Sequence, residues 1–495
     1  MGIVFRQSIK GTIVTFTGAA LGAIIVWVST SVLSQTQYGL ITNITLLAAS
    51  LQLVIILGTA NLIAVYTQRY DEYDIRRKAL LTLGALTTFI TGILFTILFF
   101  AMKEHVVAMY NIQDQPLIRK YYHFVPVVIM FMSSMTIFEC YLLAHVKIAQ
   151  AAFSKEVLLR VLNLLLLGMV SAGTIAFPEY IAGNAMIYIV PLSVMIFMSY
   201  KTKGFGFTAK FKVFTKADYK DMIHFSWYHL LFGSTVTLIT FVDTLMLAPL
   251  DKSGMKASAI YNVAVVVSSF MFMPYRAMAM STLPVLNKAY IDKDMDKVRD
   301  LFPRAGINIL IAGIGMFAII GVNLDNAVAI IKEGYEPVKY LALILMLGKL
   351  ADMATGVNNE LLSISKYYKF NSRLSIVLLG TVIILDRMLI PEYGVYGAAW
   401  VSAGTLIAFN IVKTIFLYKK FRIHPFTNKT WLVFIAGIVA AMTGYFWPYL
   451  INPYIDGTVR ALVTLITYVL MLVWLKPSND VTIFLDNMKK NKRLF

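Results

Sequence analysis

The chain has few charged residues and almost no cysteine. Charged residues make up 14% of its 495 residues, whereas a soluble domain carries about 25%. Together with 59% hydrophobic residues and a mean hydropathy of +0.72, this shortage excludes a soluble globular enzyme, a disordered chain and a fibrous protein. The single cysteine, Cys140, excludes a disulfide-stapled scaffold and a cysteine-based zinc site. The composition fits a protein whose main solvent is lipid.

Most of the sequence consists of long apolar runs. A helix needs about 20 mostly apolar residues to cross the bilayer core. Helical periodicity within the runs predicts an all-α polytopic membrane protein and not a barrel. We predict fourteen transmembrane helices, at 10–33, 40–65, 80–102, 121–145, 157–176, 182–200, 221–249, 258–283, 304–325, 341–365, 372–390, 394–418, 431–450 and 458–475.

Lysine and arginine are distributed unevenly between the segments that join these spans. Alternate segments on one side hold 32 of the 44 basic residues, and those on the other side hold 8. Because basic residues are enriched in cytoplasmic loops, both termini are predicted to be cytoplasmic. The net charge of +18 is mostly this orientation bias, so it does not indicate a nucleic-acid partner.

The two halves of the sequence resemble each other at an offset of 213 residues. Pro178-Glu179-Tyr180 recurs as Pro391-Glu392-Tyr393, and Glu139 in span four has Asp352 as its equivalent in span ten. This suggests two six-helix lobes about a pseudo-twofold axis along the membrane normal, enclosing a central cavity as in transporters. The predicted domains are an N-terminal lobe (1–200), a basic cytoplasmic linker (201–220), a C-terminal lobe (221–418), helices 13–14 (431–475) and a basic cytoplasmic tail (476–495).

Two short motifs point to a family. The first follows span one and reads Ser34-Gln35-Thr36-Gln37-Tyr38-Gly39-Leu40, which resembles the Leu-Ser-x-x-x-Tyr-Gly turn of polysaccharide flippases. The second comes from span seven onward and reads Asp243-Thr244-Leu245-Met246-Leu247, with Ala259-Ile260-Tyr261 further on. It is similar to the family's Asp-x-x-x-Leu…Gly-x-Tyr pattern, with Ala259 and Ser258 where a glycine often precedes the tyrosine. The chain thus resembles O-antigen and capsular polysaccharide repeat-unit flippases of the multidrug/oligosaccharidyl-lipid/polysaccharide exporter superfamily.

The resemblance implies a function in the bacterial cytoplasmic (inner) membrane. Such a protein moves an undecaprenyl-diphosphate-linked oligosaccharide from the inner to the outer leaflet by alternating access, without catalysis. Membrane lipids and a polysaccharide polymerase or other assembly proteins are the expected partners. Two alternatives stay open: a drug/cation antiporter of the same superfamily, which would line its pocket with carboxylates and aromatics, and a membrane polysaccharide polymerase or ligase. The short outer loops, 103–120 and 326–340, count against the enzyme.

Two cations inside predicted spans are candidates to bind the diphosphate. A charge at mid-bilayer costs about 2.5–3.5 kcal/mol on insertion scales, so each charged residue in a span is expected to have a functional or structural role. Arg276 lies in span eight and Lys349 in span ten, and a guanidinium matches phosphate geometry. The alternatives are that Arg276 snorkels to the cytoplasmic headgroups and that Lys349 pairs with Asp352, three residues on.

Four carboxylates inside the spans are candidates for coupling or gating. A proton or sodium ion could couple through such a group, because burial raises a carboxylate's pKa. The alternative for Asp243 is an interfacial cap, for Glu139 and Glu360 it is helix packing, and for Asp352 it is the pair with Lys349. The candidates are Asp243, Asp352, Glu139 and Glu360. His224 and His229 are five residues apart and share no helix face, so no metal site is predicted, and without a P-loop no nucleotide or other cofactor is expected.

Overall fold

The computed structural model describes residues 2–478, 480 and 482. The chain divides into two compact units between Ala259 and Ile260, inside one helix. The predicted lobes, with their boundary at 201–220, rest on the sequence repeat and stay a prediction. Most of the predicted basic tail, from residue 483 onward, lies outside the described residues.

The described residues of the first unit, 2–259, form thirteen helices and the start of a fourteenth. Short 3₁₀ turns lie at Thr67–Arg69 and Phe211–Val213, and π-helical turns at Phe153–Leu158 and His229–Gly233. The helices are α1 Gly2–Val32, α2 Gln35–Ile56, α3 Thr59–Tyr66, α4 Ile75–Ala101, α5 Lys103–Ala108, α6 Gln115–Tyr121, α7 Phe124–Ala144, α8 Ile148–Ala152, α9 Leu159–Ser171, α10 Phe177–Met186, α11 Ile189–Tyr200, α12 Lys216–Tyr228, α13 Ser234–Leu250 and α14 Met255–Ser269.

The second unit begins within α14, and its regular elements up to residue 478 are also helical. A 3₁₀ turn, Phe270–Phe272, joins α14 to the next helix. The remaining helices are α15 Met273–Ile291, α16 Met295–Val322, α17 Leu324–Ala329, α18 Val338–Ala354, α19 Asn358–Ile364, α20 Tyr368–Phe421, α21 Thr430–Tyr445 and α22 Pro453–Leu475.

Every predicted span coincides with helix, and the all-α polytopic fold is confirmed. By length and composition, the described residues contain nine helices able to cross a membrane, or up to ten if the bent pair α18–α19 is one span. One of the nine, α20, carries predicted spans eleven and twelve together. Spans five, seven and thirteen fall on helical segments that are shorter than this criterion requires.

The two halves of α20 are joined without a loop. Gly394 has φ 57° and ψ −139°, a conformation that is not helical and that glycine adopts at the least cost. A Cβ placed on Gly397 would lie only 2.7 Å from the carbonyl oxygen of Leu389. In a straight helix these residues would be about 12 Å apart, so the chain folds back on itself at this glycine.

The motif after span one has a structural basis. Ser34 caps α2: its hydroxyl accepts a hydrogen bond from the Gln37 N–H at 3.3 Å, and the Gln37 side chain accepts one from the Ser34 N–H at 3.0 Å. This reciprocal pair satisfies backbone donors that a helix start leaves open. One turn on, a Cβ on Gly39 would collide with the carbonyl oxygen of Met255. The glycine therefore lets α2 pack directly against the start of α14.

The loop before α6 is fastened to the turn before α14. Asn111 donates a hydrogen bond from Nδ2 to the Asp251 carbonyl at 2.6 Å, and the Met255 N–H donates to Asp114 Oδ2 at 2.9 Å. Asp114 is only 4% exposed. Burial raises the pKa of this carboxyl above its usual value, and the hydrogen bond from Met255 opposes the shift.

We expect Asp114→Asn to leave the protein at least as stable as the wild type near neutral pH. The amide oxygen still accepts from Met255, while the cost of burying a charge disappears. Because the pKa of the Asp114 carboxyl is raised in the folded state, the folded protein binds a proton there more tightly than the unfolded protein does. The wild type should therefore gain stability relative to the variant as the pH falls from neutral towards the ordinary aspartate pKa of about 4. Melting temperatures of both proteins in detergent across this range test the sign, and a wild-type advantage that grows with rising pH would contradict it.

Candidate functional site

A break in the long helix of predicted span eight lies between polar residues of unit 2. Pro274 has no backbone N–H to donate to the turn before it, and a 3₁₀ turn, Phe270–Phe272, separates α14 from α15 there. Proline and 3₁₀ geometry interrupt the regular helix ladder. Ser268 and Ser269 lie just before the break, and Arg276 lies just after it.

The two predicted cations, Arg276 and Lys349, are electrostatic neighbours. The Lys349 ammonium donates to Ser268 Oγ at 2.8 Å and to Ser269 Oγ at 2.9 Å. The Arg276 side chain lies exposed on the protein surface, and it forms no hydrogen bond or ion pair with the described residues. Its charge acts on Lys349 from the neighbouring helix. Hydroxyl groups bind an ammonium without supplying a counter-charge, so neither cation has a carboxylate partner among the described residues.

A second break lies in predicted span ten. Helices α18 and α19 are bent by 51° relative to each other. Gly356, between them, has φ 66°, and a Cβ on it would lie 2.8 Å from the Cα of Gly306 in α16. Both the backbone conformation and the close approach therefore require a glycine. In transporters, broken helices of this kind place polar side chains and backbone N–H and C=O groups that lack a helical partner near the middle of the membrane.

A buried polar network surrounds this break. Asn410, on α20, accepts hydrogen bonds at Oδ1 from the Thr355 hydroxyl at 3.2 Å and from Asn358 Nδ2 at 3.0 Å. The Asn410 side chain also hydrogen bonds to Asp352, which is 7% exposed. The network thus ties the end of α18 and the start of α19 to α20 through one amide.

Two further charged residues complete the network. Lys413, one turn beyond Asn410, donates to Asn359 Oδ1 at 2.7 Å, and its charge acts on both Asp352 and Glu360. Glu360 accepts a hydrogen bond at Oε1 from the Tyr275 hydroxyl at 3.0 Å, while its Oε2 is buried without a hydrogen-bond partner among the described residues. A single lysine therefore faces two carboxylates.

Lys349 and Asp352 do not form the ion pair that their spacing allows. Lys349 contacts the serines of α14, and Asp352 contacts Asn410 and is attracted by Lys413. The polar groups of unit 2 are thus divided into a cationic part, Arg276 with Lys349, and a part in which Lys413 balances carboxylates. The first can bind an anion, and the second can bind a proton or a monovalent cation.

The remaining predicted residues lie in unit 1. Glu139 on α7 forms an ion pair of 2.8 Å with Lys155, which lies in the π-helical turn Phe153–Leu158. A second pair in the same region, Glu156 with Arg160 at 2.7 Å, packs against Gly18 of α1, where a Cβ would lie 2.8 Å from the Glu156 Cβ. The glycine face of α1 therefore accommodates this pair. Asp243 is buried within α13 at 5% exposure.

Sequence reasoning did not assign roles to several residues of the unit 2 network. Lys413 was recognisable only as a charge in a span, and Tyr275, Asn410 and the serine pair were ordinary positions in apolar sequence. One signal was present: Asn358-Asn359-Glu360 is an unusually polar run inside an otherwise apolar segment. Polar residues at membrane depth almost always face the bundle interior or a water-filled cavity.

Solved structures with the same overall fold are transporters. The lipid II flippase MurJ, in an inward closed conformation, is 14% identical with a TM-score of 0.74, over 94% of this chain and 99% of that chain. The Vibrio cholerae MATE transporter VcmN is 12% identical with a TM-score of 0.59, over 85% and 96%. A MOP superfamily transporter from Pyrococcus furiosus is 14% identical with a TM-score of 0.58, over 85% and 95%.

This chain therefore shares the fold seen in these transporter structures. No curated protein matches the sequence closely enough to count as a relative. The family model described as polysaccharide biosynthesis protein matches residues 5–290, more than half of the chain. The protein is a member of the polysaccharide biosynthesis protein family, with the fold seen in the lipid II flippase MurJ and in MATE transporters.

Proposed function

We propose that the protein is a flippase that moves undecaprenyl-diphosphate-linked oligosaccharide repeat units from the inner to the outer leaflet of a bacterial cytoplasmic membrane. The observation that carries this proposal is the pair of neighbouring cations, Arg276 and Lys349, which has no carboxylate partner among the described residues. Fixed positive charge without a counter-ion suits an anionic substrate. A transporter for drug cations would have little use for it.

The substrate's chemistry matches these two groups. A diphosphate offers several oxygens, so the planar guanidinium of Arg276 can bind two of them while the Lys349 ammonium binds a third. Binding of the diphosphate would also offset the cost of holding two cations at membrane depth. The polyprenyl tail can stay in lipid, and only the headgroup requires a polar path.

Alternating access is the mechanism that this proposal requires. The breaks at Pro274 and Gly356 lie beside Arg276 and Asp352 respectively, so bending at either break would move a charged group of the site. Headgroup binding on the cytoplasmic side would close the inner mouth, and release would follow on the outer side. In this proposal both termini are cytoplasmic, as the distribution of basic residues predicts. A polysaccharide polymerase or other assembly protein would receive the product.

The carboxylates provide a place for coupling to H⁺ or Na⁺. Asp352 and Glu360 share the attraction of Lys413, so a cation that binds to them changes the balance of charge next to Arg276 and Lys349. This would connect an ion gradient to release of the diphosphate. We assign Asp243 and Glu139 to gating or positioning in unit 1, because Glu139 is paired with Lys155 and Asp243 is buried in α13.

A drug/cation antiporter is the second candidate, and one contact favours it. Tyr275 and Glu360 place an aromatic ring beside a carboxylate with a hydrogen bond of 3.0 Å, and an organic cation would bind well to such a pair. In that case Arg276 and Lys349 would be positioned away from the substrate path, and lipid-linked sugars would be unaffected by loss of the protein.

The test is to delete the gene in its host and to measure lipid-linked oligosaccharide in each leaflet together with surface polysaccharide. A flippase predicts complete repeat units trapped in the inner leaflet and loss of surface polymer, both restored by the wild-type gene. Unchanged lipid intermediates would refute the proposal in favour of the antiporter. Repeat units that reach the outer leaflet but stay unpolymerised or unligated would refute it in favour of a polymerase or ligase.

A further inference from the structure

A basic cavity lies at the end of unit 2 that is predicted to be cytoplasmic. Its volume is about 610 Å³, and it is formed where the end of α15, the start of α16, the end of α19 and the end of α20 meet. Five cations line it: Lys293, Arg299, Lys366, Lys420 and Arg422. We propose that this cavity binds the phosphate of an anionic lipid headgroup, at a site separate from Arg276 and Lys349, which do not line it.

The positive charge of the cavity is largely uncompensated. Arg299 is paired with Asp296 at 3.1 Å, and the other four cations have no ion-pair partner among the described residues. No carboxylate is among the residues that line the described cavity. The preference for basic residues in cytoplasmic loops explains why lysines occur here. It does not explain why three separate chain segments direct them at one concave surface.

Two of these cations occupy backbone positions that are unfavourable for them. Lys293 has φ 57° and Arg422 has φ 56°, in the left-handed region where glycine and asparagine are preferred and other residues pay a cost. Each follows the end of a helix, α15 and α20 respectively. Both side chains nevertheless line the cavity, at turns that would favour a glycine or an asparagine.

Aromatic residues give the cavity an apolar side. Phe421 packs edge-on against Tyr290 at 6.3 Å and against Tyr367 at 5.6 Å between ring centroids. The Tyr290 hydroxyl accepts a hydrogen bond from the Lys366 N–H at 3.2 Å, which fixes the ring next to the cations. Aromatic rings at the level of the headgroups are typical of membrane interfaces. The combination of cations and rings fits a lipid headgroup with its glycerol region better than a free phosphate ion.

The inference is independent of the proposed function. Any transporter of this fold can bind an anionic lipid of the inner leaflet at such a place, whatever it carries. Bound lipid would link α15 and α16 to α19 and α20, and these helices carry Tyr275, Glu360 and Lys413. Occupancy of the cavity would therefore influence how readily the second unit changes shape.

The test uses Lys293→Asn combined with Arg422→Asn in the purified full-length protein. Asparagine tolerates the left-handed conformation, so the variant should fold. Lys476→Asn is the matched control, because Lys476 also follows a helix end with a positive φ, of 46°, and does not line the cavity. Binding of phosphatidylglycerol, phosphatidylcholine and polyprenyl diphosphate is measured in detergent by native mass spectrometry, with inorganic phosphate as the competitor.

We expect the double variant to bind phosphatidylglycerol about 10- to 30-fold more weakly, while Lys476→Asn binds it like the wild type. A parallel loss for polyprenyl diphosphate would identify the transported lipid as a second source of the same headgroup chemistry. Equal binding by the double variant and the wild type would overturn the inference. The inference would also be overturned if Lys476→Asn lost as much affinity for phosphatidylglycerol as the double variant, or if the wild type bound phosphatidylcholine as tightly as phosphatidylglycerol. It would be overturned as well if inorganic phosphate, at a concentration comparable to the lipid's, displaced the bound phosphatidylglycerol completely.

Discussion

A strain whose only copy of the gene carries Arg276→Gln is expected to flip its lipid-linked substrate about 10- to 100-fold more slowly than the wild type. A hydrogen bond to a charged group contributes about 1.5–3 kcal/mol, and a tenfold change corresponds to about 1.4 kcal/mol. Lys349→Gln should have a similar effect, and the two together should nearly abolish flipping. The measurement is the rate at which repeat units appear in the outer leaflet, normalised to the amount of protein in the membrane.

Two further variants make this prediction specific. Arg276→Lys keeps the charge but loses the two-pronged geometry, so it should retain more activity than Arg276→Gln. Arg373→Gln removes another exposed arginine of unit 2, on α20, and should flip normally. Full activity in the Arg276→Gln, Lys349→Gln double variant would remove these residues from the substrate site, even if deletion of the gene confirms a flippase.

Arg460→Met should cause the largest loss of stability of any change considered for this protein. Arg460 donates to Asp456 Oδ2 at 2.6 Å within α22, and to the carbonyls of Gly444, Tyr445 and Trp447 at 2.8, 3.0 and 2.9 Å. Asp456 is fully buried. Removing one partner of a buried ion pair costs about 3–5 kcal/mol, because the other charge is left uncompensated. The chain at the end of α21 would lose its three hydrogen bonds to α22 at the same time.

The second unit contains a matched control for this change. Arg304 and Asp300 form an ion pair with the same four-residue spacing at 2.9 Å, but both side chains are 52% exposed. Arg304→Met should therefore cost less than about 1 kcal/mol. Melting temperature in detergent and the amount of folded protein in the membrane compare the two variants. Similar values for Arg460→Met and Arg304→Met would show that the buried pair does not hold the two helices together.

The sequence is a good guide to the positions of the helices and a poor one to the partners of their charged residues. Apolar runs of sufficient length mark each helix, because the lipid environment requires them. Lys349 contacts Ser268 and Ser269, which lie about 80 residues earlier in the sequence. No local sequence pattern predicts this contact. The spacing of Lys349 and Asp352 instead suggests a pair that the fold does not form.

The basic cavity illustrates the same limit on a larger scale. Lys293, Lys366 and Lys420 each look like an ordinary cytoplasmic loop residue in the sequence, and only the arrangement of α15, α16, α19 and α20 places them around one cavity. Gly39, by contrast, belongs to a motif that is recognisable in the sequence, although the motif does not say why a glycine is needed there. Its contact with Met255 supplies the reason.

The reversal of α20 at Gly394 bears on how the protein is made. Its two apolar halves have no hydrophilic loop between them, and the first half contains Asp386, which is fully buried in the finished fold. If that half entered the bilayer alone, this carboxylate would lose its buried position and incur part of the cost of about 2.5–3.5 kcal/mol that a charge has at the bilayer centre. The two halves should therefore leave the translocon together as a helical hairpin, so that a nascent chain stopped shortly after residue 390 is expected to remain in the translocation channel.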